Sequence, residues 1–205
     1  MRVVIKGSLL CLSFLVWSVM CVAQADKSPA NVPLPESDPQ SWKEYSSAEG
    51  RFSILFPGKP GQDTKVIEAS EAQYKLSIHR LKTLAEYSVM YADYPVPVND
   101  PAVAKQVLDN GAKGAVASVR SELLEINEIM LDGYPGRFLK ERMPGGEILW
   151  VKMFLVGQRM YQIAVTTPRE EGASAQTVSL YKTAADKYLS SFKLLKDEKP
   201  AGLKP

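Results

Sequence analysis

The run Ile148–Val156 (ILWVKMFLV) is apolar at both parities, with Lys152 as its one charge. Successive side chains of a strand point to opposite faces, so a run of this kind has to be covered on both sides. It demands a central strand with a packing layer above and below, and the rest of the chain has to supply the neighbours and the covers.

The neighbours are legible from turn chemistry. Pro144-Gly145-Gly146 joins Arg137–Met143 to Glu147–Val156, and Gly157-Gln158 leads into Arg159–Thr167, which reads as antiparallel hairpins. Leu123–Leu131 precedes the turn residues Asp132-Gly133 and Pro135-Gly136. Its apolar residues change parity between Ile126 and Ile129, which predicts a bulge near Asn127 and Glu128. Upstream, Phe52, Ile54 and Phe56 alternate with Ser53 and Leu55 before Pro57–Gly61 breaks the run. Thr64–Ala69 reads as the hairpin partner of a strand in which Tyr74, Leu76 and Ile78 alternate with Lys75, Ser77 and His79. Tyr87–Tyr94 supplies a further strand, closed by Pro95 and Pro97.

Two helices are the candidate covers. Asn99 or Asp100 can cap the first, Pro101 suits its first turn, and Ala104, Val107, Leu108, Gly111 and Ala115 share a stripe. Gly111 and Gly114 cost a helix about 1 kcal/mol each relative to alanine, so close backbone approach is expected there. The second helix carries Val178, Tyr181, Ala185, Tyr188 and Phe192 at spacings of three and four, with Ser174 as its cap. Its aromatic stripe is expected to be core. The fold class expected is α+β, an antiparallel β-sheet sandwiched by helices.

The ends have a different character. Arg2 and Lys6 precede an uncharged apolar run, Gly7–Ala23, and Ala23-Gln24-Ala25 offers the small-x-small pattern of a signal-peptidase site. Residues 1–25 are therefore expected to be a signal peptide of the general secretory route, removed on export to a periplasmic or extracellular location. Cys21 follows Val19 and Met20, too large for a lipoprotein signal. Both cysteines, Cys11 and Cys21, go with the leader, so the mature chain has no disulfide, thiolate or cysteine metal site and relies on an ordinary core of roughly 180 residues. Loss of Arg2 and Lys6 leaves 23 basic residues against 23 acidic ones. No basic cluster marks a nucleic-acid or membrane-surface binder. Residues 26–41, with prolines at 29, 33, 35 and 39, are expected to be a tether, residues 42–195 a single domain, and residues 196–205 a disordered tail.

Catalytic chemistry finds little purchase. His79 is the one histidine and sits with Lys75 and Ser77 on the polar parity of its strand, so a solvated or hydrogen-bonded role is expected. Glu122, Glu125 and Glu128 invite a calcium or paired-carboxylate reading, but strand alternation separates Glu125 from the others, and a solvated sheet edge is expected. Arg137, Lys140, Arg142 and Lys152, interleaved with Glu141 and Glu147, are expected to form cross-strand charge pairs. No catalytic, cofactor-binding or metal-binding residue is assigned, and no cofactor is expected.

Five segments carry a resemblance in their order: Gly50–Pro60 (GRFSILFPGKP), Tyr91–Pro95 (YADYP), Leu131–Gly136 (LDGYPG), Leu155–Gln162 (LVGQRMYQ) and Tyr188–Lys193 (YLSSFK). Together they resemble the PsbP/DcrB-like superfamily of small exported α/β/α sandwich proteins. The resemblance implies an antiparallel sheet between helices, and noncatalytic roles as accessory or binding proteins for larger assemblies. The function expected is a noncatalytic interaction module of the cell envelope whose partner is an envelope protein or assembly, with no nucleic acid and no membrane insertion after cleavage. The alternatives are an unrecognised hydrolase, and a carrier of a small apolar ligand in a cavity lined by Tyr74, Tyr87 and Tyr91. Contact is expected through Pro57–Gln62, Tyr94–Asp100 and Asp132–Gly136, with Tyr134 at a hairpin tip as the candidate partner contact.

Overall fold

The computed structural model describes residues 36–69, 72–95 and 98–195. The expected signal peptide, most of the tether and the tail lie outside them. In chain order the elements are β1 (Lys43–Ser47), β2 (Phe52–Phe56), β3 (Gly61–Ala69), β4 (Ala72–Lys82), β5 (Glu86–Asp93), α1 (Pro101–Val119), β6 (Glu122–Leu131), β7 (Tyr134–Arg142), β8 (Ile148–Val156), β9 (Arg159–Thr167), α2 (Ala175–Ser190) and β10 (Lys193–Leu194). Seven strands form one antiparallel sheet in the order β3-β4-β5-β9-β8-β7-β6, and β1-β2-β10 form a second.

The double apolar parity of β8 has the consequence expected of it. Leu149, Val151, Met153 and Leu155 pack with Leu108 of α1, while Phe154 joins Phe192 and the α2 residues Ala185 and Tyr188 on the other face. Asp100 caps α1, accepting from the amides of Ala102 and Val103 at 2.7 and 3.2 Å, and Ser174 caps α2 through the Thr177 amide. A Cβ at Gly111 would lie 3.0 Å from the terminal methyl of Met153, so α1 does approach the sheet closely there.

One cover differs from expectation. The α2 face is shared with the three-stranded sheet, whose outer members β1 (KEYSS) and the two-residue β10 lack an apolar alternation to announce them. Phe52, Ile54 and Phe56 of β2 are buried between this sheet and the large one. Each such side chain contributes about 1.5–3 kcal/mol on leaving water.

The packed chain also starts earlier than Trp42. Residues 36–41, placed in the tether by composition, form a turn and a short 3-10 helix. The Glu36 carboxylate is buried, accepting from the Thr83 hydroxyl and, at 3.4 Å, from the Ala85 amide, while the Trp42 indole donates to the Glu36 carbonyl. Among the described residues no helix is long and apolar enough to cross a membrane.

Candidate functional site

At the end of the large sheet where β5 terminates, three turns converge with the small sheet. β6 turns into β7 through Asp132 and Gly133, both at positive φ (49° and 86°), a geometry that the Asp-Gly pair accommodates at low cost. β8 turns into β9 through Gly157 and Gln158, and Arg51 leads into β2 at a φ of 54°. Between them lies a cleft of about 830 Å³. Asp132 and Tyr134 form one wall, Arg51, Leu194 and Leu195 another, and Arg159 beside Asp93 closes the base of the turn.

Arg159 makes this end rigid. Its Nε and Nη2 hold the two Asp93 oxygens at 2.6 and 2.7 Å, and its Nη1 donates to the Glu49 carbonyl at 2.7 Å. The guanidinium lies 4.7 Å from the centre of the Tyr91 ring. Hydrogen bonding to Asp93 raises its pKa further still, so it is a permanent cation. Burial pushes the Tyr161 hydroxyl above the usual tyrosine value, which keeps it a donor, to the Gly50 carbonyl at 2.7 Å. Two side chains of β9 thus strap down the β1–β2 turn that carries Arg51.

Tyr134 stands on the rim, 40% exposed and opposite Leu131 across the hairpin. From the expected contact segment Tyr94–Asp100, Tyr94 and Val98 come to the same end, where the Tyr94 amide donates to the Gln158 carbonyl at 2.7 Å and that of Val98 to the Gly157 carbonyl at 3.3 Å. The third expected contact segment departs from this pattern. Pro57–Gln62 lies at the opposite end of the sheet, and Pro57 and Pro60 are buried.

Several other expectations are corrected. Of the two roles expected of His79, solvated or hydrogen-bonded, the structure has the second, because it lies on the polar parity but not on an open face. The small sheet covers it, leaving it 5% exposed against Phe52 and stacked on Tyr91, with a 2.9 Å hydrogen bond between its Nδ1 and the Tyr45 hydroxyl. Burial lowers its pKa, so it is a neutral core imidazole. Tyr74 sits on the opposite face from Tyr87 and Tyr91, because Tyr91 pairs with Ser77 and shares that residue's parity; the three line no common cavity. The bulge falls between Leu123 and Glu125, nearer the start of β6 than expected. It carries Glu122 and Glu125 to one face, opposite Arg142 and Lys140, and leaves Glu128 on the other, opposite Arg137. Among the described residues no three histidine, cysteine or acidic side chains converge as metal ligands.

The expected charge pairing across the hairpin is partly as read. Arg142 meets Glu122 at 2.7 Å, and Arg137 meets Asp109 of α1 at 2.7 Å and Glu128 at 3.3 Å. Lys140 instead lies over the Trp150 ring at 4.4 Å, and Lys152 donates to the Leu189 carbonyl. Among the described residues Glu141 has no cation paired with it. It is fully buried beneath the end of α1, bonded by the Ser121 hydroxyl, and burial raises its pKa.

No protein-family model matches the sequence, and no curated protein matches it significantly. Among solved structures the chain is similar to the solution structure of cyanobacterial PsbP (CyanoP) from Synechocystis. Identity is 14% and the TM-score 0.47, over 82% of this chain and 97% of that one. It is also similar to a crystal structure from Bacteroides thetaiotaomicron, at 14% identity and a TM-score of 0.38, over 77% of this chain and 50% of that one. Neither likeness assigns a role to any residue of this chain.

Proposed function

We propose that this chain is a noncatalytic, exported interaction module of the cell envelope, and that it engages a macromolecular partner at the cleft between its hairpin tips. The observation that carries this reading is the exposed Tyr134 ring at the mouth of a cleft whose base is held by Arg159 and Asp93. A rigid aromatic beside a concavity loses little entropy when it is buried by a partner, the usual condition for an interface anchor. The surroundings are mixed in charge, with Asp132 on one wall and Arg51 on the other, which fits a polypeptide surface better than a uniformly charged polymer. The test is a quantitative crosslinking pull-down from the native envelope fraction with wild type and Tyr134→Ala, both checked for equal melting. Enrichment of a partner by wild type and its loss by roughly tenfold or more in the variant is the expected result. Equal recovery by both removes Tyr134 from the interface, and recovery of nothing by either removes the reading.

A further inference from the structure

The two edges of the seven-stranded sheet are not alike. β3, at one edge, presents Gln62, Asp63, Thr64 and Lys65 to solvent, with Val66 as its one exposed large apolar side chain among the described residues. β6, at the other, is ten residues long, pairs with β7 alone among the described residues, and has no buried residue. Ile126 is 45% and Met130 66% exposed, and Leu123 and Leu124 are exposed beside the bulge. A long edge with open backbone donors and acceptors and uncovered apolar side chains is a template for another strand.

The charges of β6 indicate which strand fits. It holds three acids and no base. Glu122 is engaged by Arg142, and Glu128 by Lys105 and Arg137. Glu125, at the middle, accepts from the Asn127 side-chain amide, and the facing Lys140 has its ammonium over Trp150. A second copy of this chain is a poor fit. In antiparallel pairing across a two-fold axis, full overlap of two β6 strands sets Glu125 of each against Glu128 of the other, and like charges directly opposed are destabilising. From these observations we infer that β6 takes an extended segment of a partner protein by strand addition, one in which a lysine or arginine opposite Glu125 is flanked by apolar residues that cover Leu124 and Ile126. This surface is separate from the cleft, and its test does not depend on Tyr134.

The probe is a blocked peptide as long as β6, ten residues of alternating valine and lysine, against a control of alternating valine and glutamate. Binding to the purified protein is followed by anisotropy of a labelled peptide, and hydrogen exchange locates it. The expected result is saturable binding of the basic peptide, with slowed exchange confined to amides of β6. Glu125→Gln, which removes the charge without setting a second cation against Lys140, should weaken that binding by roughly threefold while its melting curve stays that of wild type, and Tyr134→Ala should leave it unchanged. Equal binding of the two peptides, protection elsewhere in the domain, or no binding overturns the proposal. Sedimentation of the wild type as a dimer with β6 amides protected overturns it too, in favour of a second copy at this edge.

Discussion

Under α1 the sheet presents aliphatic and flexible side chains, Leu139, Leu149, Met153 and Met160, facing a helix stripe of Ala104, Leu108, Gly111 and Ala112. Under α2 and the small sheet the contacts are aromatic: Phe56 and Tyr87 each meet Tyr188 edge-on at 5.1 Å between ring centres, and Phe192 stacks on Phe52 at 5.7 Å. The two layers reach closure by different means. On the aliphatic side, small residues let the helix come close and methionines fill what remains. On the aromatic side, fixed rings set the spacing, and each favourable ring pair adds about 0.5–1.5 kcal/mol beyond its burial. Each face also holds buried polar groups: the carboxyl of Glu141 and the Arg137 ion pair on the aliphatic face, and tyrosine hydroxyls, His79 and the Glu36 carboxylate on the aromatic one.

Truncation separates the two layers most strongly. Phe192→Ala should cost about 4 kcal/mol, since three ring contacts vanish in a layer that cannot collapse around the hole, and Leu108→Ala about 3 kcal/mol, because Met153 and its neighbours can move in. Chemical denaturation of both variants checks the order. A larger loss for Leu108→Ala would show that the aliphatic layer is the stiffer one.

Glu141 gives the next effect, and its sign is fixed by burial. The unfolded chain releases this proton near the ordinary value of 4.5, whereas the folded chain holds it to higher pH. Stability is therefore lost as pH rises from about 4.5 through the folded pKa, and levels off beyond it. Glu141→Gln has nothing to ionise, so its stability relative to wild type should climb over that window and then stay level. Denaturation midpoints of the pair from about pH 4 to about pH 8 measure this, and a constant difference would place Glu141 in water.

The smallest expected effect is on the aromatic side. The Tyr188 hydroxyl is buried with no hydrogen-bond partner among the described residues. Removing an unsatisfied polar group relieves its desolvation cost, so Tyr188→Phe should be neutral or stabilising by up to about 1 kcal/mol while the ring contacts persist. A clear loss of stability would mean that an ordered water serves this hydroxyl.

What the sequence revealed follows from the range of each interaction. The double parity of Ile148–Val156, the caps Asp100 and Ser174, and the Asp132-Gly133 turn are local signals, and the structure places central strand, helices and hairpin accordingly. β1 and β10 are too polar or too short to declare themselves, and their absence from the sequence reading is why His79 looked solvated. The bulge was misplaced because a parity change marks the strand that contains it but not which residue is extra. Tyr134 was legible from the turn around it. The remainder of the cleft was not, because Asp93 and Arg159 meet only once β5 lies beside β9, and Arg51 and Leu195 arrive from opposite ends of the domain sequence.

The docking of Glu36 gives the molecule poles. Its partners Thr83 and Ala85 lie in the turn before β5, whereas the cleft lies at Asp93, where β5 stops; with eight residues between, the two are separated by roughly 25 Å. Whatever precedes Glu36 joins the domain at the pole remote from the cleft, and whatever follows Leu195 departs from the cleft wall itself. The termini are accordingly unequal as handles. A group attached directly before Glu36 starts at the pole remote from the cleft, and one attached directly after Leu195 starts at its wall.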